Sequence, residues 1–285
     1  MLREVPVPLD HRQLPTFAAD AVEVPFVIAG FDELVDTDTC WSEHSHPTHE
    51  LLWNERGASS VTVGPRTWTI TPLLGLWVPA GVVHTGLAPA GTWYRTSHFG
   101  VRTVASISDG PVAVTITPLL RLLLQRLGEE GLSDGSRGVT EAMVLDVLRP
   151  ADRELIVHVP SAQLLRPIVD AVRADPGDPR TLEVWARELG VSTRTLSRAF
   201  RAETGQGYSA WLSAVRTHRA IALLARGEDL ADVADELGYA SVSAFGAAFR
   251  RVTGATPTSF RPRPAGAGAA RVGPGAGAPV GPGAG

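Results

Sequence analysis

One short pattern occurs twice in this chain, 48 residues apart, and it restricts the fold more than any other feature. The first copy is Thr181-Leu182-Glu183-Val184-Trp185-Ala186-Arg187-Glu188-Leu189-Gly190-Val191-Ser192. The second is Asp229-Leu230-Ala231-Asp232-Val233-Ala234-Asp235-Glu236-Leu237-Gly238-Tyr239. In both, an alanine stands three residues before a leucine, and a glycine follows the leucine directly. The small alanine lets a second helix cross closely, the leucine packs the corner, and glycine tolerates the positive φ of a tight turn. Each copy then continues with an apolar residue, a serine suited to an N-cap (Ser192, Ser241) and a further helix. Those helices bury Leu196, Ala199 and Phe200 in the first copy, and Phe245, Ala248 and Phe249 in the second. The pattern predicts a helix-turn-helix, twice. A single copy is equally an ordinary helical hairpin; two copies joined by one long helix (Tyr208 to Arg226) in an arginine-rich stretch point to DNA.

Charge divides the chain in the same place. All 26 basic residues are arginines, and the net charge is −4 overall, −8 over residues 1–161 and +3 over 162–263. An acidic front and a basic back suggest two modules, with a polyanion meeting the back one. The length, 285 residues, suits two domains, and 44% hydrophobic residues supply cores for both. No run approaches the ~20 apolar residues of a membrane span. The first residues lack the basic start and apolar run of a signal peptide, so the expected location is the cytoplasm. One cysteine, Cys40, excludes an internal disulfide and a cysteine-only zinc site, and reads as a small packed side chain.

The front half reads as β structure. Short apolar or alternating runs fall at Val22–Ile28, Ser60–Val63, Thr67–Thr71, Leu76–Val78, Val82–His84, Trp93–Arg95 and Val112–Ile116, and Gly or Pro separates most of them. Many short strands at close spacing predict a small β-barrel, its five tryptophans (Trp41, Trp53, Trp68, Trp77, Trp93) mostly in the core. From Pro118 the period becomes helical. A leucine-rich helix to Leu127, a loop over 128–138 and a second helix from Thr140 to Leu148 would cover either the barrel or a second copy of the chain, a possible homodimer. Helices are then expected near 162–174, 181–189, 192–203, 208–226, 230–237 and 241–253, followed by a Gly/Ala/Pro tail expected to be disordered. The expected fold is a multidomain α+β chain: barrel over 1–117, helical linker or dimerisation region over 118–160, all-α double helix-turn-helix over 161–263, tail over 264–285.

The helical half resembles the AraC/XylS family of bacterial transcription regulators. The resemblance rests on Ala186 to Phe200, Arg201-Ala202-Glu203-Thr204-Gly205, Arg219-Ala220-Ile221-Ala222-Leu223-Leu224, Ala234 to Phe249, and the closing run Phe249-Arg250-Arg251-Val252-Thr253-Gly254-Ala255-Thr256-Pro257-Thr258-Ser259-Phe260-Arg261. It covers about 100 residues. It implies that the second helix of each unit enters the major groove of a promoter or operator about one turn (~34 Å) from the other. It further implies activation or repression of transcription, with RNA polymerase a possible partner, and a front half that senses a small-molecule effector. On the first reader helix, Arg194, Thr195, Ser197, Arg198 and Arg201 lie opposite the buried Leu196 and Phe200. The second offers Ser243, Ala244 and Ala247 with Arg250 at its end, beside Val242, Gly246 and Arg251. Arginine suits guanine O6/N7 or phosphate, and small side chains suit thymine methyl groups.

A second constellation lies in the barrel. His44-x-His46-x-x-x-Glu50 and Pro79-x-Gly81-x-x-His84 resemble the two cupin motifs in order and separation. If residues 44–50 are one extended strand, His44, His46 and Glu50 share a face and His49 points away. In metal-binding cupins the matching residues hold a divalent metal, here His44, His46, Glu50 and His84. Imidazoles with a carboxylate suit Zn, Fe, Ni, Cu or Mn. The competing readings are an inner face that holds an organic ligand, and side chains that only pack. A metal-dependent cupin enzyme with an accessory helical domain is the alternative function, although catalysis would not require the C-terminal repeat. No lysine exists for a phosphate-binding loop of the GxxxxGK type, and no Gly-x-Ser-x-Gly occurs. The expectation is therefore a non-enzyme. A DNA-bending structural protein is disfavoured by the acidic total charge.

Overall fold

A computed structural model describes residues 9–261. The expected tail, 264–285, lies outside the described residues. Short runs of β-formers separated by turns build two sheets. One has the order β1 (Leu9–Arg12), β3 (Asp38–His44), β8 (His84–Ala88), β5 (Ser59–Val63), β6 (Arg66–Ile70), β11 (Ile156–His158). The other runs β10 (Val112–Thr115), β7 (Leu74–Val78), β4 (His49–Arg56), β9 (Trp93–Phe99), β2 (Ile28–Leu34). Neighbours pair antiparallel, except for β1 and β3. The sheets face each other: Val61, Trp68 and Ile70 of the first pack with Leu76 and Val78 of the second. Between them the strands place Glu50 and the histidines described below.

Three details differ from expectation. Residues 22–27 are irregular, and the strand starts at Ile28; Pro25 has no N–H to give a ladder. Val82 and Val83 are not strand: they follow the Ala80-Gly81 turn, closed by the Val82 N–H on the Pro79 carbonyl, and lead into β8. The segment expected as helical linker also supplies β11. Its apolar run Leu155-Ile156-Val157 takes the free edge of β6, with the Thr69 N–H donating to the Leu155 carbonyl. An unpaired edge of this kind is a liability that the chain covers with its own next segment.

Helices α1 (Pro118–Leu127) and α2 (Asp134–Val147) cover the outer face of the second sheet. Thr117 caps α1, accepting the Leu120 N–H at 3.1 Å, and Pro118 fits the first turn. Leu120, Leu123, Leu124, Leu127, Val144 and Leu148 pack with Leu51, Trp53, Trp77 and Phe99. Between the two partners left open by spacing, the inner stripe therefore meets the barrel of the same chain. Helix α2 begins six residues before the expected Thr140. Ser133 caps it, and that cap outweighs the helix-weakening Gly135 and Gly138.

Residues 166–253 are helical: α3 (Arg166–Ala174), α4 (Leu182–Glu188), α5 (Thr193–Thr204), α6 (Tyr208–Ala225), α7 (Leu230–Glu236) and α8 (Val242–Thr253). Two cores form on one long helix. Ile168, Val172, Trp185, Ala186, Leu196, Phe200 and Trp211 make the first. Ile221, Leu224, Val233, Ala234, Leu237, Phe245 and Phe249 make the second. Only α6 belongs to both.

Candidate functional site

Each helix-turn-helix unit is built from the repeat as its chemistry requires. Thr181 and Asp229 cap α4 and α7. Gly190 and Gly238 turn the chain at φ +66° and +69°. Ser192 Oγ accepts the Thr195 N–H and Ser241 Oγ the Ala244 N–H, both at 3.1 Å, starting α5 and α8. Gly205 and Gly254 end them in the left-handed region. Leu196, Phe200, Phe245 and Phe249 point inward and are fully buried. The opposite faces carry Arg194, Thr195, Arg198 and Arg201 on α5, and Ser243, Ala244, Ala247 and Arg250 on α8, all exposed; Ser197 is half-buried. The Thr195 hydroxyl is 2.8 Å from that of Ser192, so it is engaged in the cap.

The arginines sort by partner. In the helical half Arg166, Arg180, Arg219 and Arg226 pair with carboxylates, and Arg216 donates to the Pro176 and Asp178 carbonyls. Among the described residues, none of Arg194, Arg198, Arg201, Arg250 or Arg251 forms an ion pair. The cations on α5 and at the end of α8 are thus free to meet phosphate or guanine.

The histidine motif does not lie in one strand. Strand β3 ends at His44, Pro47 interrupts the pairing, and β4 begins at His49 in the opposite sheet. The groups converge nevertheless, because the two sheets face each other across this turn. One ring nitrogen from each of His44, His46 and His84 lies within 4.8 Å of the others. Glu50 Oε2 is 3.5 Å from both His46 Nε2 and His84 Nε2. His49, the first residue of β4, points away from the cluster, stacked on Trp77 and accepting the Ala80 N–H. One neighbour belongs to neither motif. His98, the cross-strand partner of Glu50, stands 5.0 Å ring to ring from His46 and touches the Thr48 hydroxyl at 3.0 Å. Its signal is the alternation Tyr94, Thr96, His98 along β9, which gains meaning only once β4 and β9 are paired.

The electrostatics suit a cation. The rings of His44 and His84 each place Nδ1 within 2.9 Å of a backbone carbonyl, of Ser42 and Val82 respectively. A carbonyl only accepts, so Nδ1 carries the proton and Nε2 keeps its lone pair, the arrangement that orients a metal-binding imidazole. Burial alone would raise the Glu50 carboxyl, but His46, His84 and His98 outweigh it and hold the pKa well below the usual carboxylate range. Burial pushes His46 down to about 4 against the pull of Glu50. It lowers His44 as well. In His84 the contact with Glu50 overcomes burial and raises the pKa. Among the described residues, Glu50 Oε2 and His84 Nε2 are buried with no hydrogen-bond partner. Two opposed buried acceptors cost about 1–3 kcal/mol each unless something satisfies both. A proton on His84 Nε2, favoured by its raised pKa, does so in part, and a divalent metal does so fully; the donor set fits one.

Comparison with known proteins agrees with this division. The profile of the AraC-like ligand binding domain matches residues 26–145, and that of a helix-turn-helix domain matches 185–263. The HTH-type transcriptional regulator NimR of Escherichia coli is 26% identical over 236 residues, 81% of this chain and 84% of NimR. The HTH-type transcriptional regulator RipA of Corynebacterium glutamicum is 38% identical over 214 residues, 74% of this chain but 61% of RipA. Among solved structures, ToxT of Vibrio cholerae aligns over 82% of this chain and 96% of its own, at 12% identity and a TM-score of 0.34. With a ligand-binding domain in front, two capped helix-turn-helix units behind and relatives of the same kind, the chain belongs to the AraC family of transcription regulators.

Proposed function

We propose that this regulator reads paired sites on duplex DNA with α5 and α8, and that the histidine centre of its barrel is where the signal binds. The observation that carries the first half is the set of free arginines on the exposed faces of α5 and α8. They are Arg194, Arg198, Arg201 and Arg250, with Thr195, Ser197, Ser243, Ala244 and Ala247 around them. The observation that carries the second is the pair of orphaned buried acceptors at Glu50 and His84. His44, His46, His84 and Glu50 would hold a divalent first-row metal, which supplies a fixed positive charge tying the two sheets together. The proposed sensor unit spans 1–117 with α1 and α2 packed on it, and the DNA-binding unit 161–263. Nothing in this arrangement calls for catalysis, and a cytoplasmic site of action follows from the DNA partner.

Oligomeric state belongs to the same reading. The outer side of α1 and α2 leaves Leu119, Leu122, Val139 and Met143 exposed, Leu122 and Val139 at 63%. Together with Leu123 and Arg126, part of this face borders a shallow cleft of about 440 Å³. A contiguous apolar face of this kind is suited to a second copy of the chain.

One experiment tests the whole. The full-length chain selects duplexes from a random pool at fixed salt with excess unrelated DNA, with nickel or zinc and with chelator, and the mass of the complex is recorded. Selective binding that shifts with metal, with two chains per duplex, is the expected result. In His46→Ala, metal stoichiometry should fall from one per chain to none while selectivity for DNA persists. Unchanged stoichiometry in that variant would remove the metal from the reading, and transcription from the selected site with RNA polymerase gives the sign of regulation.

A further inference from the structure

The two DNA-reading units have separate cores and meet on α6, so the straightness of α6 governs how far apart α5 and α8 lie. The units also touch directly where the backbones of Gly177 and Gly238 approach, and α6 holds each side of that contact through Arg216 on the Pro176 carbonyl and Arg219 on Glu236. A third body grips the same helix. Along α6, the Trp211 indole N–H donates to the His158 carbonyl of β11 at 2.7 Å. Seven residues on, His218 Nδ1 meets the Thr69 hydroxyl of β6 at 2.5 Å. At the C-cap, the Arg226 guanidinium lies 3.0 Å from both carboxylate oxygens of Asp38, the first residue of β3. Residues 211, 218 and 226 lie on one side of a helix, given 3.6 residues per turn.

Packing fills the spaces between these contacts. Ala214, Thr217 and Ile221 of α6 face Thr69, Leu155 and Val157, leaving a void of only about 10 Å³, room for one water at most. Ala58 of the barrel and Leu155 beside β11 are part of the second unit's core. The grip thus runs the length of the helix that separates the readers.

We propose that the barrel is a splint for α6, and that Asp38 and Thr69 are positioning residues which set the spacing of DNA half-sites the protein accepts. They touch no DNA; they act by keeping α6 straight through Arg226 and His218. Asp38 is also wired into the barrel, since its carboxylate accepts the Ala90 N–H at 2.8 Å. Its strand, β3, ends at His44. The splint and the histidine centre therefore share one strand.

This inference rests on α5 and α8 being the readers, and the test separates the two. Asp38→Asn and Thr69→Val, singly and together, alter only the barrel side of the seam, more than 100 residues in sequence from either reader helix. Duplexes selected by the full-length wild-type chain are rebuilt with their half-sites at the preferred spacing, at one and two base pairs more or less, and as a lone half-site. An ion pair with both partners about one-third exposed contributes little to stability, so these chains should fold, which melting checks. Wild type should lose affinity steeply away from the preferred spacing. In the double variant, affinity at the preferred spacing should fall about three- to fivefold, the off-spacings should rise toward it, and the lone half-site should be unchanged. Asp38→Glu, which keeps a carboxylate for Arg226 and for the Ala90 N–H, should keep the wild-type profile. A double-variant profile that superimposes on wild type overturns the splint, as does an equal loss on every duplex including the lone half-site. If wild type selects no paired half-sites at all, the reader assignment falls, and the splint with it.

Discussion

At Arg198 one side chain decides between two kinds of contact. It stands one turn from Arg194 on the exposed face of α5, without a carboxylate partner among the described residues, and a phosphate or a guanine would each satisfy it. Helix α8 would offer little with which to discriminate bases: Val242, Ser243, Ala244 and Ala247 are all short. We expect Arg198→Ala to relax preference at one base pair, at a cost of about 1–3 kcal/mol on the selected site and less on others. Sequence profiling of variant and wild type checks it; a uniform loss on all sequences with unchanged preference would make Arg198 a phosphate contact. The outward faces of α5 and α8 are legible in the amino-acid sequence because a 3.6-residue period, anchored on Leu196 and Phe200 or on Phe245 and Phe249, leaves little choice about which residues point out. His98 is not legible there. Its role depends on lying opposite Glu50 across β4 and β9, and register between strands is a non-local fact that no short motif encodes.

Elements show the same contrast between local and non-local. Gly190 and Gly238 occupy matching turns with nearly equal φ, and the repeat alone marks both. Their surroundings separate them. A Cβ at Gly190 would meet open space, whereas one at Gly238 would stand 2.5 Å from the Gly177 carbonyl oxygen; one at Gly177 would stand 2.5 Å from the Glu236 carbonyl oxygen. Alanine at Gly190 should therefore cost only the left-handed strain, about 1–2 kcal/mol. At Gly238 the same strain is joined by a backbone clash where the two units touch, and Gly177→Ala brings such a clash without the strain. Urea unfolding should rank Gly238→Ala as more destabilising than Gly190→Ala; equal values would mean that the backbone at the contact yields freely. Local signals place α1 and α4 through α8 well, since caps and periodicity act within one turn. They fail where a partner decides: β11 is a strand because β6 has a free edge, and the His44–Glu50 motif is split because its two ends belong to opposite sheets.

Across the whole molecule, the seam between barrel and DNA-binding unit is tied to pH through His218. Its ring is pushed down to about 4, first by burial against the barrel and then by the neighbouring Arg219 charge. The groups that meet it are the Thr69 hydroxyl and the apolar wall of Leu155, Ile221 and Val252, and none of these welcomes a proton's charge. In the unfolded chain the same histidine titrates near 6.5. Between about pH 6.5 and 4 the unfolded state therefore binds a proton that the folded state refuses, so stability rises with pH across that window and is lost as pH falls. Above 6.5 both states are neutral at this position and the slope from His218 vanishes. Melting temperature against pH should fall below about 6.5, and His218→Gln, which has no proton to take up there, should fall less steeply. Its amide can still reach the Thr69 hydroxyl, so operator spacing should change little in that variant at neutral pH. An equal slope in wild type and His218→Gln would place the acid sensitivity elsewhere and leave Thr69 as a hydrogen-bonding contact alone.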